Sequence, residues 1–440
     1  MTRTADDTAS GKARKLLQVL GPGLITGASD DDPSGIATYS QAGAQFGFNT
    51  GWTLLASWPL MCAIQEISAR IGRVTGRGLA ANVQQHYPNS VVAVVVALLL
   101  VANTINIGAD LGAMAAALKL VTGGPQLLFV AAFALLCVGL EVFVNYDRYV
   151  RVLKWLTLAL LAYVGVAFVV HIPWGTVAVR MVAPQIDWTP AYITTVVAIL
   201  GTTISPYLFF WQAEEEVEEV KERDGAKPLR RAPRQAKGEF ARIRIDTYLG
   251  MALSNLVALF IMLTTAATLH AHGVTDIQTS AQAAEALRPV AGPAVFVVFA
   301  LGIVGTGLLA VPVLAGSAAY AVGEAFGWHV GLTRKPRRAK GFYGVIAVAT
   351  LVGGLLNFSS LDPIRALFWS AVINGVVAVP VMAMMMLLGS RHDVMGRFAL
   401  PIPLKVVGWG EGTEDEMCLA FLGVTLDREK LTLFNRQPLK

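Results

Sequence analysis

Gly27-Ala28-Ser29-Asp30-Asp31-Asp32-Pro33-Ser34-Gly35 places three consecutive aspartates inside an otherwise apolar region, flanked by apolar or small residues over 16–25 and 36–48. A charged side chain at mid-bilayer depth costs about 2.5–3.5 kcal/mol on insertion scales. A chain keeps such residues only where they face a cavity or bind something. Pro33 and Gly35 interrupt the helix and free backbone carbonyls beside the carboxylates. Carboxylates and freed carbonyls together make a cation site, with Asp32 as its leading ligand. The competing role for Asp32 is to cap the helix that follows. Asp30 and Asp31 are expected behind it, as further ligands, caps or partners of a base.

The rest of the chain fits a membrane. Of its 440 residues, 55% are hydrophobic and 15% charged, against roughly 25% charged in soluble domains. This composition implies an all-α polytopic membrane protein in a lipid bilayer. The net charge of +5 is modest and its basic residues cluster in loops, so no nucleic-acid partner is expected. Cys62 and Cys137 lie in apolar segments and Cys418 near the end, a spacing that fits neither a disulfide framework nor a zinc site. Residues 1–10 are polar and lack a cleavable signal pattern. No nucleophile–base pairing, phosphate loop or cofactor motif is present. An enzyme, a cofactor and an obligate protein partner are therefore not expected.

Nine further stretches read as spans: 52–71, 91–111, 127–144, 153–170, 192–212, 249–269, 294–320, 343–356 and 364–388. The ninth of the ten is short and broken by Gly353-Gly354. Basic residues mark every second connection: Lys12, Arg14 and Lys15; Arg70, Arg73 and Arg77; Arg148, Arg151 and Lys154; Arg230 to Arg244; Arg334 to Lys340; and Arg391 and Arg397. By the excess of Lys and Arg in cytoplasmic loops, these connections and both termini are expected in the cytoplasm of a cell with the chain in its inner (plasma) membrane. That alternation requires the aspartate segment to cross as well, so it is a broken span.

A second break follows five spans later, at Gly201-Thr202-Thr203-Ile204-Ser205-Pro206-Tyr207. Interrupted helices in corresponding positions of two halves point to a transporter site at the midplane. Odd spacing between the halves makes the repeats inverted. The expected organisation is an N-terminal cytoplasmic segment (1–15), a first five-helix repeat (16–170), an extracellular connection (171–191), a second repeat (192–388) and a cytoplasmic tail (389–440).

These two breaks carry a family likeness. Gly21-Pro22-Gly23, Asp32-Pro33-Ser34-Gly35 and Gln41-Ala42-Gly43-Ala44 resemble the first helix of NRAMP metal transporters, whose pattern there is Asp-Pro-Gly-Asn. Residues 201–207 resemble that family's sixth-helix break, which holds Met-Pro-His. The likeness runs over about 16–409, including Val394-Met395-Gly396. It implies a LeuT-type fold, alternating access and a divalent metal substrate.

The departures bear on the substrate. The family methionine falls on Ser205, its histidine on Tyr207 and its first-helix asparagine on Gly35. Thioethers favour soft or borderline metals, and oxygen ligands favour hard ones. What remains is Asp32, carbonyls near Gly35, and the hydroxyls of Thr202, Thr203 and Ser205. Small side chains at Gly35 and Ser205 are expected to widen the cavity. Mg²⁺ keeps several of its waters and binds through one or two carboxylates, which suits such a site. The pattern resembles the NRAMP-related magnesium branch. The third-helix acids of the family's proton path correspond to Asn106 and Ala109, which do not titrate, so NRAMP-type proton coupling is not expected. Asp110 is an acid one position along, facing elsewhere.

The family's polar tenth-helix residue corresponds to Asn374, whose other role would be an interhelical hydrogen bond. Asn103 and Asn106 are candidates for lining an aqueous path, and Tyr207 for packing or gating. Glu66 stands near the path but is also placed to pair with Arg70 one turn on. Glu214, Glu215, Glu216, Glu218 and Glu219 read as a solvated helix end paired to the basic loop, and His270 and His272 as an exposed turn. Residues 419–424 are too short to cross. The reading is an importer of Mg²⁺, with Mn²⁺ second. The alternatives are a proton-coupled Mn²⁺ or Fe²⁺ importer, a LeuT-type carrier of an organic cation or other small solute, and a channel or ligand sensor.

Overall fold

Proline after a short polar residue starts several of the spans. At α1 (Pro33–Phe46), Asp32 is the N-cap and its carboxylate accepts from the Gly35 amide. At α8 (Pro190–Thr203), Thr189 caps through Tyr192 N. The same pairing recurs at Pro363, where Asp362 caps through Ile364 N. Proline lacks the N–H that a helix's first turn leaves unsatisfied, and the cap supplies one missing acceptor, worth about 1 kcal/mol. The computed structural model describes residues 27, 30–144, 160–332, 334–358 and 362–409.

Between α1 and α8 run α2 (Trp52–Thr75), α3 (Leu79–His86), α4 (Asn89–Thr122), α5 (Gln126–Phe143), α6 (Leu161–Val169) and α7 (Trp174–Val182). After α8 come α9 (Pro206–Glu222), α10 (Ala236–Thr268), α11 (Ser280–Glu285), α12 (Val295–Ala325), α13 (Lys340–Leu355), α14 (Pro363–Ser390) and α15 (Ile402–Trp409). The described residues form no strand. Seven helical segments among them are long and apolar enough to cross a membrane: α4, α5, the α8–α9 pair, α10, α12, α13 and α14. The chain is a multi-pass membrane protein.

Both expected breaks are present. α1 starts at Pro33, and α8 stops at Thr203 before α9 restarts at Pro206. α4 and α12 pack along each other at the centre, α8 lies on α14, α2 on α9, and α1 on α10. Gly201 permits one of the closest of these meetings, since a Cβ there would collide with Ala371 O and Gly375 N of α14.

Two readings of the sequence are corrected. Gly353-Gly354 does not break the ninth span, because α13 is continuous and Gly353 seats it against the α4 backbone at Thr104 and Gly108. The glutamates of α9 pair with the basic stretch that follows, Arg242 of α10 meeting Glu216 at 2.5 Å and Glu219 at 2.9 Å, but they are not a solvated end, because Glu214, Glu216 and Glu218 are buried. The helix that holds the seventh span begins at Ala236. Residues 1–26, most of the connection before α6 and the tail after Trp409, including 419–424 and Cys418, lie outside the described residues.

α2 is 24 residues long, but its second half carries Gln65, Glu66, Arg70 and Arg73, all buried in protein. Arg70 pairs with Glu66 at 2.6 Å, and Arg73 with Glu239 of α10 at 3.2 Å.

Candidate functional site

The break before α1 leaves Asp32 at a junction of helices, 2% exposed. Its Oδ1 accepts from Ser34 Oγ at 2.6 Å and Gly35 N at 2.7 Å. Its Oδ2 lies 3.2 Å from Asn106 Nδ2 of α4 and 3.4 Å from Tyr207 Oη of α9. The two oxygens divide their contacts: Oδ1 closes the helix turn, while Oδ2 takes two longer contacts, one from α4 and one from the second break. Ser370 of α14 holds the other side of the Asn106 amide, with Oγ 2.7 Å from Oδ1.

Gly35 does not leave the open space expected of it. A Cβ there would stand 3.0 Å from Thr202 Oγ1, 3.4 Å from Asp30 O and 3.4 Å from the Tyr39 ring. The glycine lets α1 and α8 meet, so Thr202 comes to the first break. Ser205 Oγ donates back toward Gly201 O at 2.8 Å and Thr202 O at 3.0 Å. Thr203 Oγ1 does the same to Ile199 O at 2.9 Å. Hydroxyls bonded one turn back are common in membrane helices. They keep lone pairs, but no hydrogen bond brings Ser205 or Thr203 to Asp32 among the described residues.

Asn374 is 1% exposed, and neither amide atom has a hydrogen-bond partner among the described residues. It sits between Ala371 and Gly375, whose backbones touch Gly201 at the end of α8. A buried polar group left unpaired costs about 1–3 kcal/mol, so this amide is either a burden or a ligand in waiting. Asn103, by contrast, donates to Leu314 O and Ser317 Oγ at 2.8 Å each, an interhelical tie to α12. Glu66 takes the bond to Arg70 that its spacing offered, with Arg244 at 3.6 Å. His270 Nδ1 lies 2.8 Å from Ala44 O in an outer turn, and His272 is exposed.

Asp31 is not aimed at Asp32's partners. Ser254 Oγ of α10 is 2.6 Å from Asp30 Oδ2 and 3.2 Å from Asp31 Oδ1. Ser254 and Ser370 carried no signal, because a single serine in an apolar helix reads alike whether it faces lipid or an acid. Tyr39 stands one turn after Gly35, and that spacing alone could have placed it on the same face. Asp110 of α4 is fully buried with both oxygens unpartnered, and Glu141 of α5 is also buried without a partner.

The family profile described as natural resistance-associated macrophage protein-like matches residues 23–412. The divalent metal cation transporter MntH of Burkholderia ambifaria is 28% identical over 411 residues, covering 89% of this chain and 85% of the relative. The protein of the same name from Deinococcus radiodurans is 26% identical over 404 residues, covering 90% and 87%. Among solved structures, the Eremococcus coleocola manganese transporter superposes with a TM-score of 0.68 at 17% identity, over 96% of this chain and 91% of that one. Mhp1, a nucleobase-cation-symport-1 family transporter, does so at 0.58 and 15%, over 90% and 81%. These likenesses show a LeuT-type fold of two inverted five-helix repeats, with its first and sixth helices broken. With the family profile spanning most of its length and both broken helices in place, the chain belongs to the NRAMP family.

Proposed function

We propose that this protein imports divalent cations by alternating access, with Mg²⁺ preferred and Mn²⁺ second, and without the family's proton route. The observation that carries this reading is the meeting of Asp32 with the second break: Tyr207 of α9 reaches its Oδ2, and Thr202 of α8 stands against Gly35. The lone-pair atoms that Asp32, Thr202 and Ser205 offer are oxygens, which suit a hard cation. Where the family places a thioether this chain has Ser205. Asp32 Oδ2, Thr202, Ser205, Asn374 and carbonyls freed near Gly35 and Thr203 form the proposed ligand set. Asn106, Tyr207 and Asp31 support it, and Glu66 flanks the path. The repeats are 16–170 and 192–388, and the basic loops and both termini face the cytoplasm of the inner membrane.

A second reading is a proton-coupled manganese importer. It is favoured by the names of the relatives and by Asp110 and Glu141, two buried acids that are free to carry protons by another route. One experiment separates the two: uptake of Mg²⁺, Mn²⁺, Ca²⁺ and Cd²⁺ into proteoliposomes, with internal pH recorded. Mg²⁺ entry at constant internal pH supports the first reading. Mn²⁺ entry with acidification and no Mg²⁺ entry supports the second.

A further inference from the structure

A cavity of about 480 Å³ opens where the connection after α2 meets the connection after α9. Arg77 lines it from the first connection and Arg230 and Arg231 from the second, with His86 at the end of α3 beside them. No aspartate or glutamate is on its walls. None of the three arginines pairs with a carboxylate among the described residues. The Asp393 carboxylate, which belongs to a neighbouring turn, is taken up by Arg391 at 2.7 Å. Arginine stays charged at every working pH, so the cavity concentrates fixed positive charge.

Its walls are held in place by bonds that no ligand supplies. Leu229 N donates to Arg73 O at 3.1 Å and Arg230 N to Val74 O at 3.2 Å. The second connection thereby satisfies two carbonyls that the end of α2 leaves open. Gly76 turns the chain there with φ 69°, and a Cβ on it would stand 2.4 Å from Pro228 Cγ. Buried Asn82 sets its amide against Gly78 O, Arg77 O and Thr75 Oγ1 at 2.8, 3.0 and 3.1 Å, which fixes the turn that carries Arg77. Arg230 Nη1 donates to the Asp393 and Val394 carbonyls at 3.1 Å each. These bonds orient its guanidinium and leave its charge uncompensated. A site fixed in advance loses little freedom when it binds.

The cavity also lies at a definite depth. α4 starts at Asn89, just after His86, and exposes Val94, Leu98 and Val101 along one face, the face that lipid covers. Val94 is about 8 Å along the helix from Asn89, close to the thickness of the headgroup layer on one side of a bilayer. Guanidinium forks match phosphate oxygens in pairs, and basic pockets at this level suit phosphate headgroups. The volume falls in the range of about 300–1,000 Å³ that holds a small molecule.

We propose that this cavity is a binding site for a multiply charged phosphate group, held between Arg77 and the Arg230–Arg231 pair. A phospholipid headgroup and a soluble polyphosphate share this chemistry. The occupant fastens the connection before α3 to the one before α10, and so steadies α9, the helix that starts at the second break.

The test uses the purified full-length protein without divalent ions, at constant ionic strength. One arm measures equilibrium binding of radiolabelled pyrophosphate. The other measures retention of phosphatidic acid from mixed micelles with phosphatidylcholine, by native mass spectrometry. Wild type should bind at least one of the two. Arg77→Ala and Arg231→Ala should each bind it about tenfold more weakly, the loss of one charged contact. Arg234→Ala, in the same connection but outside the cavity, should bind like wild type. Pyrophosphate alone identifies a soluble ligand, and phosphatidic acid alone a lipid. Binding of neither by wild type overturns the site. Equal binding by wild type, Arg77→Ala and Arg231→Ala also overturns it, by placing the phosphate elsewhere. Should the variants fail to fold, protection of wild type from thermal unfolding decides: pyrophosphate must protect more than sulfate, or phosphatidic acid more than phosphatidylcholine, and protection by neither overturns the site.

Discussion

The Asn106 amide lies 3.2 Å from Asp32 Oδ2 and is held from behind by Ser370. This places a neutral, non-titrating donor from α4 on the one carboxylate oxygen that capping leaves available. The contact ties α1 and α4 together, and in the proposed function an incoming cation competes with it.

Asp32→Asn separates the two jobs of this residue. Asparagine is as good an N-cap as aspartate, so the variant should fold with unchanged thermal stability. Removing one member of a buried charge interaction costs about 2–5 kcal/mol, which is roughly thirtyfold or more in affinity. Calorimetric titration of Mg²⁺ into the purified variant measures it. Wild-type affinity there would take Asp32 out of the site.

Uptake should leave the vesicle interior at constant pH while an inside-negative potential accelerates it. The basis is the neutral Asn106 on Asp32 and the tyrosine at position 207. A pH-sensitive dye inside the vesicles reports the outcome, and acidification that tracks cation entry would instead implicate Asp110 or Glu141.

Ser205→Met should shift preference from Mg²⁺ toward Cd²⁺ and Mn²⁺. The thioether is a soft ligand that binds Mg²⁺ hardly at all, and it replaces a hydroxyl now bonded back to Gly201 and Thr202. A shift in the Mg²⁺-to-Cd²⁺ uptake ratio is expected, not a complete switch, because the other oxygen donors stay. An unchanged ratio in a folded, active variant would mean that Ser205 does not face the substrate.

Asn374→Leu should raise thermal stability and weaken divalent binding together. The amide is buried with both polar atoms unpartnered, and an apolar group of similar size removes a penalty of about 1–3 kcal/mol. Melting curves of the metal-free protein and a Mg²⁺ titration give the two readouts. A more stable variant that binds Mg²⁺ normally would make Asn374 a packing residue.

How much of this was legible follows from what each residue announces. Asp32 declared itself, because a carboxylate beside proline in an apolar span has little to do there except cap a helix or hold a cation. The break at 201–206 declared itself through Gly201 and Pro206. Ser254 did not, since its acid lies 224 positions away in sequence and nothing local marks a serine's orientation. Glu216 misled as to its burial for a related reason. A run of glutamates signals solvent until Arg242 arrives from the next helix to cover it. Gly353-Gly354 looked like a break because small residues serve close packing and chain interruption alike, and only the neighbouring α4 backbone tells which.

The charged half of α2 also bears on how the protein is made. Arg73 is wholly buried, and its ion-pair partner Glu239 belongs to α10, which leaves the ribosome long after α2. Until then α2 reaches the bilayer with a polar half that lipid does not tolerate, so its insertion is provisional and the later helix secures it. A nascent chain stopped at residue 235 should therefore leave the Arg73 end of α2 open to a water-soluble thiol reagent at an introduced cysteine, Ile71→Cys, and one extended through α10 should close it. Protection that is already complete in the shorter chain would show that α2 settles without its late partner.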